Sequence, residues 1–590
     1  MARIQVNIFS AILCICFVEA LKTIDEKHEV VLNVEHGVNL KWRVDGEDIL
    51  FEMSAVTRGY VAVGFSPNGG MPGSDIVVGW VNNGKAFVSD RYANDFKKPE
   101  ADSSQDYELL YGYEKNGKTT IGFTRKLHTC DPKDYTITGD TSRIIWAIND
   151  NDPDKSDDLQ YHRTARGVRS VVILDSTFKL RELPEDGKYF DMLMPNVSVP
   201  NDDTTYWCSP FLVPKFDKPV QVFRFDTIVQ KGHEALVHHM IIYGCTGDYD
   251  SVSHWADLCI RKNMPPELEK CVRVIYAWAV GAGPFEFPEH VGLSLGGAND
   301  PTFMYIEMHY DNPERRSDFV DSSGLRLHYI PARREYDLDV WMVGEAFETK
   351  AHMIPPKETS FKTFGYCSGE CTQASMKEDV KVFAVLLHGH LALRQINLQQ
   401  YRNGTLISEV RDDNYDFNLQ ETRNTPEIIY KPGDDFVVTC SYDTMDRENI
   451  TFGGIGTHEE MCLAFIYYYP RRANFTFCIS NPTWDSISNE FGINTNNGTL
   501  IVSNITDITD LDGKELKDSL KEVAYHGARY EVCGFVSHGV REFPPKWFKD
   551  DRRIVKHEAC AMTVFSGSSK TMGTLTATVI LAAFVISILF

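Results

Sequence analysis

The chain has 590 residues, with 83 acidic against 60 basic side chains and a formal net charge of −23. That balance argues against nucleic acid or an anionic lipid surface as a partner. With 43% hydrophobic residues the chain is rich enough to bury several cores.

Met1-Ala-Arg3 followed by the apolar run Val6 to Phe17 reads as a secretory signal peptide over residues 1–20, cleaved after Ala20. Two of the fourteen cysteines, Cys14 and Cys16, fall inside it, leaving twelve in the mature chain. An even number in a secreted protein points to disulfides rather than reduced thiols. Six Asn-x-Ser/Thr sequons (Asn196, Asn403, Asn449, Asn474, Asn497 and Asn504) agree with a luminal or extracellular body.

The first structured unit reads as a β-sandwich over residues 36–149. Its strand-like runs include Asn39-Leu-Lys-Trp-Arg-Val, Tyr60-Val-Ala-Val-Gly-Phe and Ile144-Ile-Trp-Ala-Ile, punctuated by Gly, Asn and Asp. Residues 150–200 read as a connector with some extended structure. Two further β-rich regions follow, at 201–320 and 321–485, then an extension over 486–565 with a helical stretch from Asp510 to Ala524. The expected fold class is mainly β: one sandwich followed by two more of jelly-roll type. Thr571 to Phe590 carries no charge, and twenty such residues span a bilayer as a helix. It reads as a single-pass type I anchor, at the endoplasmic reticulum or cell surface. The alternative is a removable glycolipid-attachment signal behind Ser566-Gly567-Ser568-Ser569.

Four short pieces in the two later β-rich regions carry the chemistry. They are His238-His239 in Leu-Val-His-His-Met, His309 in Glu-Met-His-Tyr-Asp-Asn-Pro, His388-Gly389-His390, and Met461 in Glu-Glu-Met-Cys. His388 and His390 lie two apart in a strand pattern and project from one face. Adjacent His238 and His239 point oppositely on a regular strand. They share an ion only if the strand ends, twists or bulges, or if they use different ring nitrogens. Each pair is followed some 70 residues later by one further donor, which suggests two similar domains with one metal apiece. Thioether is a poor ligand for zinc, calcium or magnesium and a good one for Cu(I), so the inventory favours copper redox chemistry over zinc hydrolysis.

With these pieces, Thr204-Thr-Tyr-Trp-Cys208, His290-Val-Gly-Leu-Ser-Leu-Gly and Val385-Leu-Leu-His-Gly-His390 make the chain resemble the copper type II, ascorbate-dependent monooxygenases, most closely their dopamine β-hydroxylase-like branch. The first sandwich resembles the DOMON domain. The resemblance implies two copper ions per subunit, ascorbate as reductant and O2 as co-substrate. It makes His238, His239 and His309 the ligands of an electron-transfer copper, and His388, His390 and Met461 those of an oxygen-binding copper. Tyr206 and His388 become catalytic residues. It also implies the pairings Cys130–Cys560, Cys208–Cys259, Cys245–Cys271, Cys367–Cys478, Cys371–Cys533 and Cys440–Cys462.

The implied reaction hydroxylates an activated C–H bond of a small organic substrate, phenylethylamine-like by analogy. Glu286, Glu307 and Asp311 are the candidate carboxylates for an amine. Some DOMON relatives bind haem through Met and His, for which Met71 and His162 are the candidates here; sugar or a cation are the other options. The competing readings are a membrane-anchored glycoprotein that keeps the fold as a binding module, and a peptidyl-glycine-type hydroxylase.

Overall fold

The computed structural model describes residues 28–541, except 156–157, 175–179, 235, 260–263, 270, 272, 313, 346–349, 473–475, 495–496, 508–512 and 535. The expected signal peptide, the segment 571–590 and Cys560 lie outside the described residues. Among the described residues no helix is long and apolar enough to cross a membrane.

The first sandwich packs a five-stranded sheet against a six-stranded one. Burial alternates along Val38–Asp45 and Thr141–Ile148, as a two-residue side-chain period requires of strands with one face inward. Trp42, Phe51, Phe123 and Trp146 meet in the core between the sheets. The range expected as a connector supplies a strand at each end. Arg166–Val172 pairs with Thr141–Ile148 and so belongs to the first sandwich. Lys188–Leu193 pairs with Gly324–Ile330 in the second.

In the second sandwich one sheet aligns Thr204–Leu212, Phe303–Asp311, Val237–Cys245 and Arg273–Ala279 as antiparallel neighbours. The third has a seven-stranded sheet with Val380–His388 beside Leu463–Tyr469, facing a four-stranded one. The C-terminal extension joins this sheet through Arg529–Cys533, and the expected helix occupies Gly513–His526. The second and third sandwiches share one apolar core, in which Tyr276 and Phe285 from one meet Phe383 and Tyr467 from the other. Each large side chain buried there contributes about 1.5–3 kcal/mol, enough for a handful to hold two sandwiches face to face.

Among the described residues five disulfides are formed: Cys208–Cys259, Cys245–Cys271, Cys367–Cys478, Cys371–Cys533 and Cys440–Cys462. Cys130–Cys560 involves a residue outside the described ones. Asn196, Asn403, Asn449 and Asn497 are exposed, as glycan attachment needs; the side chains of Asn474 and Asn504 lie outside the described residues.

Candidate metal centre

Three neighbouring strands bring the first histidine set together. His309 is the register partner of Tyr206 on one side and of His239 on the other. The pairing slips between Val237 and His239, so that Val237 faces Tyr310 and His239 faces His309. This irregularity at His238 resolves the problem of two adjacent histidines: the local bulge turns both rings the same way. Both use the same ring nitrogen. His238 Nδ1 lies 3.3 Å from His239 Nδ1, which lies 3.2 Å from His309 Nδ1.

The spacing is informative. Two nitrogen ligands about 2.0 Å from one ion at a tetrahedral angle stand about 3.3 Å apart. His238 Nε2 donates to the Phe417 carbonyl at 3.1 Å, which leaves Nδ1 as the lone pair facing the cluster. Three buried Nδ1 atoms converging at this distance, each able to present a lone pair, fit a cation. Burial, and secondarily the neighbouring rings, push the imidazoles toward neutrality: His238 falls to about 3, and His239 and His309 lie well below the usual range. Neutral imidazole is the ligating form.

The second set forms where Val380–His388 ends. His388 Nδ1 contacts Gln420 Oε1 at 2.6 Å, and His390 Nδ1 donates to the Glu459 carbonyl at 3.0 Å. Both contacts leave the lone pair on Nε2, and His390 Nε2 is buried without a hydrogen-bond partner. Burial holds His388 near 4 and His390 near 3. The ladder register pairs His388 with Leu463, which carries Met461 to the level of His390 two residues beyond the strand ends. A Cβ on Gly389 would stand 2.9 Å from the Met461 carbonyl, so the two segments touch. Glu460 fastens them, its carboxylate accepting from the amides of His390 (2.9 Å) and Ala392 (2.6 Å). Tyr442 Oη donates to the Met461 carbonyl at 2.9 Å. The Cys440–Cys462 bridge starts at the next residue.

The two donor sets abut. The rings of His239 and His388 meet edge to face with centroids 5.5 Å apart. The two sandwiches meet here in direct side-chain contact, because the shared aromatic core draws them together.

Tyr206 lies flat on His309, centroids 4.5 Å apart, and its hydroxyl donates to the Ile455 carbonyl at 2.5 Å, across to the third sandwich. Burial, then the neighbouring carboxylates, raise its phenol well above the usual range, so it stays protonated. Among the candidate carboxylates, Glu286 is committed to Arg181 in an ion pair. Burial and then Asp203 raise Asp311. Glu307 lies beside the Cys208–Cys259 bridge, and burial raises it to about 7.

In the first sandwich, Met71 and His162 line one cavity of about 520 Å³. It lies over the outer sheet face carrying Ala62, Ile76 and Ile145. Tyr415, Phe417 and Gln420 also belong to the site: Phe417 stacks on His238, Gln420 binds His388, and Tyr415 holds Gly389 between His388 and His390. Their only local signal is a pair of aromatics in the otherwise polar run Asp412-Asp-Asn-Tyr-Asp-Phe-Asn.

Comparison with known proteins agrees with this layout. Residues 34–149 match the DOMON domain, residues 190–317 the copper type II ascorbate-dependent monooxygenase N-terminal domain, and residues 336–491 the C-terminal domain of the same family. The chain is 41% identical to mouse (Mus musculus) DBH-like monooxygenase protein 1 over 462 residues, covering 77% of this chain and 75% of that protein. It is 34% identical to dog (Canis lupus familiaris) dopamine beta-hydroxylase over 450 residues, covering 75% and 72%. The disulfides and these relatives agree with a protein of the secretory pathway. With three family domains in order and relatives of this similarity, the chain belongs to the copper type II ascorbate-dependent monooxygenase family.

Proposed function

We propose that this protein hydroxylates an activated C–H bond of a small organic substrate, using O2, ascorbate and two copper ions per chain. The observation that carries the reading is the convergence of three buried Nδ1 atoms, with His239 Nδ1 3.3 and 3.2 Å from its two neighbours, beside a second buried histidine pair whose backbone adjoins Met461. Neither set contains a carboxylate for general-base work at a zinc-bound water, and a hydrolase gains nothing from Met461.

Bound copper would supply one-electron redox chemistry and oxygen activation; the rest is work for the protein. His238, His239 and His309 would hold one ion through Nδ1. His388 and His390 would hold the other through Nε2, with the Met461 thioether favouring its reduced form. The His239–His388 contact gives electrons a short route between the sets. Tyr206 clamps the His309 ring by stacking and ties the loop before Met461 across the sheet edge. We assign Tyr206 and His388 as the catalytic residues, the second as a ligand.

For substrate, we favour an amine of the phenylethylamine type. Among the described residues Glu307 has no cationic partner, and it shares a strand face with His309. The body would face the secretory lumen or the exterior, with 571–590 holding it to a membrane. Ascorbate-dependent oxygen uptake by the copper-loaded chain, run against amines and glycine-extended peptides, tests the proposal. Uptake stimulated by an amine supports it; none with any substrate rejects it.

A second reading concerns the first sandwich. His162 Nδ1 donates to the Arg163 carbonyl at 3.1 Å, so Nε2 is the lone pair. Met71 lines the same apolar cavity, with Lys97, Lys98 and Arg166 also on its lining. Thioether and imidazole with cations for carboxylates suit an iron porphyrin. A haem titration giving a sharpened Soret band, abolished in His162→Ala, supports this reading; an unchanged spectrum rejects it.

A further inference from the structure

The segment from Asp412 to Gln420 touches the first sandwich along one side and both histidine sets along the other. On the first side, the Asp412 carboxylate accepts from the Thr141 amide (3.1 Å) and hydroxyl (2.7 Å). Arg423 closes the same carboxylate at 2.6 Å and also donates to the Thr141 hydroxyl. Arg143 donates to the Tyr415 carbonyl at 2.6 Å, and Ser170 donates to the Asp416 carboxylate. These partners, Thr141, Arg143 and Ser170, sit on the paired strands Thr141–Ile148 and Arg166–Val172.

On the other side, Tyr415 Oη donates to the Gly389 carbonyl at 2.7 Å and accepts from the Gly389 amide at 3.1 Å. Gly389 separates His388 from His390. The Phe417 ring stacks on His238, centroids 3.9 Å apart. The Phe417 carbonyl accepts twice, from His238 Nε2 at 3.1 Å and from Gln420 Nε2 at 2.9 Å. A carbonyl cannot donate, so the Gln420 amide nitrogen must face it and Oε1 must face His388. His388 Nδ1 therefore donates, and its tautomer is fixed. One chain of hydrogen bonds thus runs from His238 through Phe417 and Gln420 to His388, joining a ring of one set to a ring of the other. Tyr415 and Gln420 are each no more than 2% exposed, which keeps water from substituting for these contacts.

We propose that residues 412–420 form a strap through which the first sandwich sets the tautomer and spacing of both histidine sets, with Phe417 and Gln420 as positioning residues. The proposal rests on the ligand reading above. Hydrogen bonds to the non-ligating nitrogen of a metal-bound imidazole orient the ring and set its basicity, and their loss costs about 10–100-fold in metal affinity. The first sandwich then has a part in the metal chemistry without contributing a ligand.

The test uses the full copper-loaded chain, read by the Cu(II) paramagnetic resonance spectrum and by copper retention against a chelator. Gln420→Leu is expected to weaken copper at the His388 set about 10–100-fold. Gln420→Glu, which still accepts from His388 Nδ1, is expected to keep that site's spectrum. The pair Thr141→Val and Ser170→Ala, distant in sequence from every ligand, is expected to shift the spectrum and release copper severalfold faster. Tyr60→Phe, which removes a first-sandwich hydrogen bond away from the strap, is expected to change neither. Ser170→Ala alone deletes a half-exposed contact, so it serves if the double variant folds poorly. Unchanged spectra and retention in Gln420→Leu and Ser170→Ala overturn the strap while the ligand reading stands. A wild-type chain that takes up no copper overturns the ligand reading itself.

Discussion

The rings of His239 and His388 meet edge to face, 5.5 Å between centroids, although they come from different sandwiches and are 149 positions apart in sequence. Two ions held by these rings would lie close enough for their unpaired spins to interact. The oxidised, doubly loaded chain is expected to show strong spin–spin coupling. The variant His309→Ala, which dismantles one set, is expected to show the uncoupled signal of a single Cu(II). Two independent signals in the wild type would place the sets apart in solution.

Met461→Ile removes the thioether while nearly conserving volume, so the fold is expected to lose less than about 1.5 kcal/mol. Substrate hydroxylation is expected to fall by at least about 10²-fold, because the softer donor that favours the cuprous state is gone. Copper content at the His238 set should be unchanged. Retained turnover would remove Met461 from the site.

Cys440–Cys462 closes a loop of 22 residues immediately beside Met461. Replacing both cysteines by serine is expected to cost about 3 kcal/mol of stability. Copper at the His388 set should dissociate faster than at the His238 set, measured by spectroscopy during chelation. Equal loss from both sets would show that the bridge does not serve Met461.

The apoprotein should be acid-sensitive. His238, His388 and His390 sit at about 3, 4 and 3 in the fold because burial disfavours their charged forms, against about 6.5 when unfolded. Between these values the unfolded chain binds more protons, so stability is complete above about pH 6.5 and declines as pH falls toward 4. Chemical denaturation at stepped pH should show this slope, and His388→Gln should flatten it. A profile level from pH 7 to 4.5 would contradict the assignment.

The donor inventory was legible in the sequence because imidazole and thioether are uncommon side chains at telling positions. The sandwiches were legible because period-two burial is local. The Val237–His239 irregularity was foreseen only as one option, since a bulge is fixed by the facing strand, here His309 and Tyr310. The His239–His388 contact could not be read at all: it depends on aromatic packing between Phe285 and Tyr467, 182 positions apart. Gln420 and Phe417 looked like ordinary loop residues for the same reason. The strand Arg166–Val172 was read as part of a connector rather than of the first sandwich, because three of its seven residues are exposed, which weakens the apolar alternation.

The central claim is most directly tested by counting metal and oxygen together on one preparation of the whole chain. Two copper ions per chain are expected, with ascorbate-dependent oxygen uptake that disappears in Met461→Ile and in His309→Ala alike. A chain that holds fewer than two coppers, or one whose oxygen uptake survives either substitution, contradicts the account.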